Sequence, residues 1–513
     1  MKFRISLVAT LALAALVLSA CTAPNAEPSQ MAVAAPKPAP TATVAANLKP
    51  FYDQRVDWQS CGTRILCAKV KVPTNWSAPS AGSLELAVAY RAADSANPKG
   101  SIIFNPGGPG ASGYDWILHS VDYLGTKALR SQFNIVGFDP RGVGSSQPKV
   151  TCFDAKKTDQ MLYADNGLPL GSPQDVAATR AMVAQFAAAC AKNTGPAMAY
   201  LDTVSAAKDI DVIRSVMGES KLDYLGFSYG SFLGETYAAL FPKKISHMVI
   251  DGVIDPTVSD SQQSVLQLKG FDLALRNYLA NCLSSSDCPF SGTVPQALAK
   301  IRSFLRGLES SPLPTKDGRE LTVWGANTGL IMPLYSQDYW PQLSQAFAEA
   351  FDGDGTTFIQ LADAYNDRDK NGNYTTNLME ANVAISCLDS RQPSDSKSMA
   401  QQNARMLAAS PTMGRYWQFG ALTCEPWPYP VAKHPSDYSA KGSPAILVVG
   451  TTGDPATPYG QAVSVAKHVL NNGHLVTYHG EGHTAYGRSN ACVANSVDNY
   501  FIKNLVPSQD PEC

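Results

Sequence analysis

The sequence predicts an α/β fold in which a mostly parallel sheet carries helices on both faces and is interrupted by a mainly helical insertion. Several short apolar runs end in Gly, Asn or Asp and precede helical patterns. Continuous apolar runs of this kind are typical of strands buried on both faces, as in a parallel sheet. The runs begin at Ser101, Phe133, Leu222, Met248, Ala445 and Leu475.

Helical patterns separate these runs. The segment "TVSAAKDIDVIRSVMG" has apolar residues at helical spacing, and we predict that Thr203 or Ser205 caps its N-terminus. A second helix follows the run at Leu222 and ends near Phe241, because Pro242 cannot continue it.

The run pattern disappears in the middle of the chain. Between residues 256 and 436, helical patterns such as "YWPQLSQAFAEAF" replace the strand runs, which resume at Ala445. We therefore predict a core domain made of residues 51–255 and 437–513, with a helical cap at 256–436 inserted between its strands.

The N-terminus has the pattern of an export signal. Lys2 and Arg4 precede an apolar run that is too short for a comfortable membrane span, so residues 1–20 are interpreted as a signal peptide. The run ends in "LSAC", which resembles a bacterial lipobox and predicts lipidation of Cys21; ordinary cleavage nearby is the alternative. Residues 21–50 are rich in Ala and Pro and are predicted to be a tether from the membrane to an extracytoplasmic domain.

Cysteine usage agrees with export. Eleven cysteines less the predicted anchor leave an even number, as expected for disulfides in an oxidising compartment. Consecutive pairing is the simplest choice, although sequence alone does not determine it. No CxxC spacing occurs, and we expect no metal site. The cysteines are Cys61, Cys67, Cys152, Cys190, Cys282, Cys288, Cys387, Cys424, Cys492 and Cys513.

The charge balance bears on partners. The formal net charge is −2, so no basic surface for nucleic acid is indicated. We expect a monomer that is attached to the membrane through the lipid on Cys21.

The stretch "GFSYGSFLG" supplies the candidate nucleophile. Ser228 lies in a G-x-S-x-G pattern after a strand run and before a helix, which is the context of a nucleophile elbow. Small neighbours are needed there because the serine adopts a strained backbone conformation. A glycine-rich bend without chemistry is the alternative.

A serine nucleophile needs a base that is oriented by an acid. We favour His483, in "GEGHTAYG" after the last strand run, with His479 as its main rival. Asp454, in "GTTGDPATP", is the preferred acid because it gives the order Ser, Asp, His of the α/β-hydrolases. Asp251 and Asp255 follow another strand and are the rival acids.

A glycine-rich loop supplies the candidate oxyanion hole. The N–H of Tyr229, next to the nucleophile, is one candidate donor to the developing charge. The loop "NPGGPGASG" follows an early strand and supplies the second, Gly108, with Gly107 as the alternative. A plain Gly/Pro turn is the interpretation without chemistry.

Taken together, these motifs resemble one family. "NPGGPGASG", "GFDPRGVGSS", "YLGFSYGSFLG", "DGVIDP", "AISCLD", "GTTGDPATPYGQA", "GEGHTAYG" and the C-terminal "CVANSVDNYFIKNLVP" resemble, in order, the secreted tripeptidyl aminopeptidases of bacteria, in the prolyl-aminopeptidase branch of the α/β-hydrolases. The resemblance extends from about residue 58 to residue 513. The chain is also similar to the cell-envelope lipoprotein serine proteases of mycobacteria.

The resemblance implies a serine exopeptidase that releases short peptides, tripeptides among them, through an acyl-enzyme on Ser228. It implies no cofactor, and it supports consecutive disulfides. It also implies that an acidic cap residue holds the substrate α-ammonium, for which Glu380 and Asp389 are candidates because they flank "ANVAISCLD"; a purely structural role is the alternative. A carboxylesterase or lipase, or a catalytically silent surface-binding protein, would share the same scaffold.

Overall fold

The computed structural model describes residues 33–39 and 44–513. The predicted signal peptide at 1–20 and the predicted lipidation site Cys21 lie outside the described residues. Within the part of the chain that is described, no helix is long and apolar enough to cross a membrane.

A large sheet forms the centre of the described residues. Its strand order is β1-β2-β3-β5-β4-β6-β7-β10-β11, and β8 pairs with β9 in a separate hairpin. The strands are β1 (Gln59–Gly62), β2 (Ile65–Pro73), β3 (Ser83–Arg91), β4 (Ser101–Asn105), β5 (Asn134–Phe138), β6 (Leu222–Phe227), β7 (Ile245–Asp251), β8 (Leu313–Pro314), β9 (Glu320–Leu321), β10 (Ile446–Gly453) and β11 (Gly473–Glu481).

Helices cover both faces of this sheet and form a separate layer above one of its edges. The helices are α1 (Lys49–Tyr52), α2 (Gly113–His119), α3 (Lys127–Gln132), α4 (Ala155–Leu162), α5 (Pro173–Thr194), α6 (Thr203–Val216), α7 (Tyr229–Leu240), α8 (Asp260–Cys282), α9 (Val294–Leu308), α10 (Val323–Ile331), α11 (Trp340–Phe351), α12 (Thr356–Tyr365), α13 (Leu378–Asp389), α14 (Ser396–Ala409), α15 (Tyr459–Ser464) and α16 (Ala491–Lys503).

The six predicted strand runs become β4, β5, β6, β7, β10 and β11, which pair in parallel. One apolar cluster joins α6 and α7 to one face of the sheet, and a second joins α2, α3 and α16 to the other. This mostly parallel sheet with helices on both faces is the α/β-hydrolase architecture that the sequence predicts.

The antiparallel strands β1, β2 and β3 were missed by the run pattern. They form one side of the sheet and differ in burial, since β1 is exposed throughout, β2 is exposed in part and residues 86–90 of β3 are buried. In β2, for example, Lys69 and Lys71 are exposed between buried neighbours. An alternating strand of this kind contains no continuous apolar run.

The start of α6 differs from the prediction in one residue. Asp202, and neither Thr203 nor Ser205, caps the helix, because its carboxylate accepts the N–H of Ser205 at 2.8 Å. The helix after the elbow, α7, ends at Leu240, close to the predicted end.

The helical layer contains α8 to α14 and has its own apolar core, with Leu275 and Phe347 fully buried in it. The helices α4 and α5, which precede the predicted cap in the chain, also pack against this layer. Tyr163, just after α4, is buried in the same cluster, and Phe186 of α5 packs with Cys387 and Leu388 of α13. Both helices lie within the predicted core domain, and α5 also packs with core residues such as Met198.

Ten cysteines form five disulfides, and each joins cysteines that are consecutive in the chain. This is the expected pairing, and it is typical of proteins in oxidising compartments. The disulfides are Cys61–Cys67, Cys152–Cys190, Cys282–Cys288, Cys387–Cys424 and Cys492–Cys513.

Part of the predicted tether at residues 21–50 packs on the core domain. The N–H of Ala39 donates to the carbonyl of Ser215 at 2.7 Å, at the end of α6. Val33, Val44 and Leu48 also pack against the main apolar cluster. Isolated apolar side chains in an Ala/Pro-rich segment therefore suffice to fasten it to an existing surface.

Candidate active site

The candidate catalytic residues lie at the carboxyl edge of the sheet. Strands β4, β6, β7, β10 and β11 run parallel, so their carboxyl ends meet at one edge. In open α/β sheets, ligands bind at this edge. Each predicted catalytic side chain follows one of these strands by one or two residues.

Ser228 follows β6 directly and has a strained backbone, with φ +56° and ψ −125°. Its two flanking glycines allow this turn. A Cβ at Gly226 would lie 2.3 Å from the carbonyl oxygen of Gly230, and a Cβ at Gly230 would lie 2.7 Å from that of Asn105. The turn is therefore possible only with glycine at both positions, as in a nucleophile elbow.

His483 and Asp454 form the predicted base–acid pair. The His483 Nδ1 lies 2.9 Å from both carboxylate oxygens of Asp454. Asp454 is only 1% exposed, and it also accepts the N–H groups of Ala456 and Thr457 at 2.9 and 2.8 Å. A carboxylate held in this way orients the imidazole with Nδ1–H toward the acid, which leaves Nε2 for the serine.

Thr457 is a site residue that the sequence analysis missed. Its hydroxyl lies 3.1 Å from Asp454 Oδ2 and 3.3 Å from His483 Nδ1. It therefore contacts both members of the pair and helps to fix their relative orientation. The only signal in the sequence is its place in the turn directly after the acid.

Asp251, one rival acid, has a different place in the site. Its carboxylate accepts the N–H groups of Ala485 and Tyr486, at 2.9 and 2.7 Å, and its carbonyl accepts the N–H of Ser228. Burial, opposed by these hydrogen bonds and assisted by the nearby Asp454 charge, raises the pKa of Asp251 to about 6. Asp251 thus holds the loop after His483 in place and does not bond its ring.

The remaining rivals lie outside the pair. Asp255 accepts the N–H and the hydroxyl of Thr257 in a local turn. His479 is exposed and pairs with Glu512 at 2.7 Å, near the C-terminus. Neither rival bonds a member of the Ser228 site.

The glycine-rich loop after β4 lies against the nucleophile. A Cβ at Gly107 would lie 2.9 Å from the Cβ of Ser228, so the loop approaches this closely only as glycine. The N–H of Gly107 donates to Asn105 Oδ1 at 3.0 Å. Among the described residues, the N–H groups of Gly108 and Tyr229 donate to no other group. The geometry therefore favours Gly108, not Gly107, as the partner of Tyr229.

A cavity of about 250 Å³ opens over Ser228. Core residues, among them Gly108 and His483, form one wall. The opposite wall belongs to the helical layer and contributes Tyr335, Tyr365, Leu378 and Asn382.

Contacts with the base and with the oxyanion loop join the helical layer to the site. The Tyr335 carbonyl accepts the N–H of His483 at 2.9 Å, and its ring lies edge-on to the imidazole at 5.5 Å. Asn382 Nδ2 donates to the carbonyl of Pro109 at 3.1 Å. The layer therefore acts as a cap that helps to position both the base and the oxyanion loop.

Glu380 does not line this cavity, although the sequence analysis proposed it for ammonium binding. Its carboxylate accepts the N–H groups of Cys152 and Phe153 at 2.9 and 3.1 Å. Burial raises the pKa of Glu380. These bonds fasten α13 to the segment that carries α4 and α5.

Asp389, the other proposed carboxylate, also lies away from the cavity. It accepts the N–H of Thr203 at 2.8 Å and the hydroxyl of the same residue, and it lies 3.4 Å from His434 Nε2. The Thr203 hydroxyl in turn contacts the hydroxyl of Tyr229. Both carboxylates thus have structural partners, and neither is beside Ser228.

Comparisons with known proteins found one family model and several solved structures. A family model described as "TAP-like protein" matches residues 410–513. One solved structure of low similarity is an acetylester hydrolase from Corynebacterium glutamicum, with 12% identity, coverage of 87% of this chain and 95% of that chain, and a TM-score of 0.39. Another is proline iminopeptidase from Mycobacterium smegmatis, with 13% identity, coverage of 81% of this chain and 91% of that chain, and a TM-score of 0.32.

Curated relatives match over nearly the whole chain. "Carboxylesterase B" of Mycobacterium tuberculosis is 33% identical over 90% of this chain and 91% of the relative. "Tripeptidyl aminopeptidase" of Streptomyces lividans is 27% identical over 89% of this chain and 86% of the relative. "Serine protease Hip1" of Mycobacterium tuberculosis is 34% identical over 91% of this chain and 92% of the relative. This chain therefore belongs to the α/β-hydrolase family that includes the mycobacterial serine protease Hip1 and the Streptomyces tripeptidyl aminopeptidases.

Proposed function

We propose that this protein is an extracytoplasmic serine exopeptidase that releases short peptides, tripeptides among them, from the N-termini of its substrates. The observation that carries the proposal is the group formed by Ser228, His483 and Asp454 beneath a small cavity that the cap closes on one side. A long folded chain does not fit into such a cavity, whereas a chain end does.

The proposed chemistry is acyl transfer. His483 takes the proton of Ser228 as its oxygen attacks the peptide carbonyl, and the N–H groups of Gly108 and Tyr229 stabilise the oxyanion. The C–N bond then breaks, and His483 gives the proton to the leaving amine. Water repeats these steps and frees the acyl fragment, while Asp454 keeps the imidazole oriented. This chemistry uses no metal or organic cofactor.

Recognition of the α-ammonium is assigned to neutral acceptors. Among the lining residues, all of which lie in the described part of the chain, there is no Asp or Glu. Asn382 uses its Nδ2 on the oxyanion loop, which leaves its Oδ1 as an acceptor on the acyl side of the cavity. The hydroxyls of Tyr335 and Tyr365 supply further acceptors.

The proposed location is the outer face of the cell membrane. The five disulfides support an oxidising compartment. The segment 1–20 and Cys21 would supply export and a lipid anchor. Cys21→Ser should move the protein from the detergent-extracted membrane fraction to the soluble fraction, and retention in the membrane would contradict the anchor.

Matched peptides test the exopeptidase proposal. We expect rapid release of the fluorophore from a tripeptide aminocoumarin with a free N-terminus, and loss of most of this rate when the N-terminus is acetylated, because the ammonium acceptors then lack their partner. Ser228→Ala is the control for contaminating peptidases. Equal rates on free and blocked peptides would refute the exopeptidase specificity while leaving the hydrolase chemistry intact.

A carboxylesterase is the second candidate, favoured by the relative named carboxylesterase B. The same nucleophile and oxyanion donors hydrolyse esters. Comparing kcat/KM on short-chain p-nitrophenyl esters with that on the free tripeptide separates the two candidates. Turnover of esters with no cleavage of any peptide would favour the esterase.

A further inference from the structure

We propose that Arg488 is a specificity-determining residue that binds a carboxylate on the leaving-group side of the scissile bond. The inference rests on the proposed acyl transfer at Ser228 and goes beyond it by naming the chemistry of the fragment that leaves. The carboxylate is either the side chain of Asp or Glu near the new N-terminus or the C-terminal carboxylate of a short leaving fragment.

The position of Arg488 carries the proposal. It lines the same cavity as Ser228 and His483, and the residue is exposed. Its Nη1 lies 3.5 Å from the carbonyl oxygen of His483, so the guanidinium lies beside the backbone of the catalytic loop. Within the part of the chain that is described, this guanidinium forms no ion pair with any carboxylate. An Arg without a carboxylate partner, at the mouth of a substrate cavity, has its donors available for a ligand.

The cavity presents this charge without a competing one. Among the described residues that line the cavity, Arg488 is the only Lys, Arg, Asp or Glu, and His483 is the only histidine. The carboxylates nearest to the base are fully buried and occupied. Asp454 bonds the imidazole, and Asp251 bonds the N–H groups of the following loop. A substrate in the cavity therefore meets one fixed positive charge.

The side of the scissile bond follows from the mechanism. The imidazole of His483 must lie next to the amine that leaves, because it gives that amine its proton. Arg488 contacts the backbone of the same residue, whereas Asn382, on the opposite wall, contacts the oxyanion loop. With this arrangement, Arg488 is assigned to the side of the leaving fragment and Asn382 to the side of the acyl fragment.

A carboxylate is the ligand that fits these donors. The planar guanidinium presents parallel N–H groups that match the two oxygens of a carboxylate, and the charge strengthens each hydrogen bond. An ammonium or a Lys side chain at this place would be repelled. The cavity therefore selects an anionic leaving fragment over a neutral or cationic one.

Two pairs of substrates test this assignment and distinguish the two sources of carboxylate. The first pair has Glu or Gln directly after the scissile bond of a longer peptide with an amidated C-terminus. The second is a tetrapeptide with a free or an amidated C-terminus. For at least one pair, we expect the wild type to prefer the carboxylate about tenfold in kcat/KM, at low salt.

Variants of the arginine supply the specific readout. Arg488→Gln should abolish this preference while retaining kcat on the neutral member of each pair, and Arg488→Lys should restore part of it, since the charge returns without the fork. Arg405→Gln, an exposed arginine on α14 outside the cavity, is the matched control and should keep the full preference. Raising the salt concentration should weaken the preference.

Other outcomes overturn the proposal. Equal rates on both members of each pair in the wild type would refute it, and so would an equal loss on all substrates in Arg488→Gln, which would indicate a structural role for the contact with His483. If no peptide is cleaved, the exopeptidase proposal fails by itself. Esters whose leaving alcohols carry a carboxylate or a carboxamide then decide the role of Arg488 in the same way.

Discussion

The carboxyl edge of the sheet and the cap differ in how their functional residues are positioned. At the edge, Ser228, Asp454 and His483 each follow a strand by one or two residues, so local chain geometry places them. In the cap, Glu380 and Asp389 lie on one helix, and their places depend on packing between distant segments. Strand ends therefore place the candidate catalytic residues, whereas long-range packing decides whether a cap residue reaches the cavity, and it keeps both of these carboxylates out of it.

The two regions also differ in their tolerance of change. Around the elbow, Gly107, Gly226 and Gly230 have no room for a Cβ, so backbone atoms constrain the site. The cap wall contacts the site through side chains and one carbonyl, that of Tyr335. Mutations at the edge should therefore affect catalysis strongly, and mutations in the cap should mainly change which substrates are used.

The largest expected effect is that of Ser228→Ala, which tests the edge. Removing the nucleophile should lower kcat by about 10⁶-fold if the three residues act as a unit. The measurement is peptide turnover, together with labelling by a fluorophosphonate probe. A variant that keeps near-full turnover would show that Ser228 is not the nucleophile. A wild type that fails to label would indicate a catalytically silent protein.

Asp454→Asn should have the next largest effect. The amide preserves the shape of the side chain but favours the wrong imidazole tautomer, so kcat should fall by about 10⁴-fold. The thermal midpoint of unfolding serves as the control, because a folded variant with low kcat separates catalysis from stability. Wild-type kcat in this variant would assign the acid elsewhere, with Asp251 as the first candidate.

Asp251→Asn tests whether the edge stores electrostatic strain. The folded pKa of Asp251 is raised to about 6, so the folded state binds the proton more tightly than the unfolded state does. This contribution is favourable below the unfolded pKa and is lost as the pH rises through the folded pKa. Over this pH range, the contribution of Asp251 to the free energy of unfolding falls by about 3 kcal/mol.

The asparagine variant lacks this titration. The wild-type thermal midpoint minus that of the variant should therefore decrease from pH 4 to pH 6 and level off above pH 7. A difference that is constant or rises over this range would contradict the raised pKa and the strain it implies.

The smallest expected effect is that of Glu380→Gln in the cap. The amide oxygen can still accept the N–H groups of Cys152 and Phe153, so activity on free tripeptides should change by less than about twofold. Asn382→Ala is the informative partner and should raise the KM for peptides with a free N-terminus. If Glu380→Gln lost the preference for free N-termini and Asn382→Ala kept it, the ammonium would be bound by the cap carboxylate and not by Asn382.

Much of the central sheet could be predicted from the sequence, because strands buried on both faces consist of continuous apolar runs. β1 and β2 could not be predicted in this way, since β1 is exposed along its whole length and the second half of β2 alternates. Residues 86–90 of β3 do form a buried apolar run, which was overlooked. The capping residue of α6 was missed for a different reason: Asp202, Thr203 and Ser205 are all good caps, and only the backbone geometry selects one.

The order and the type of the candidate catalytic residues could be predicted from local sequence patterns. A nucleophile elbow, a turn acid and a glycine-flanked histidine are local patterns, and parallel strands bring their ends to one edge. The folded structure was needed to see that Thr457 contacts the acid and the base, that α4 and α5 pack against the cap, and that Arg488 lines the cavity while Glu380 does not. These places depend on contacts between residues far apart in the chain, which short sequence patterns do not contain.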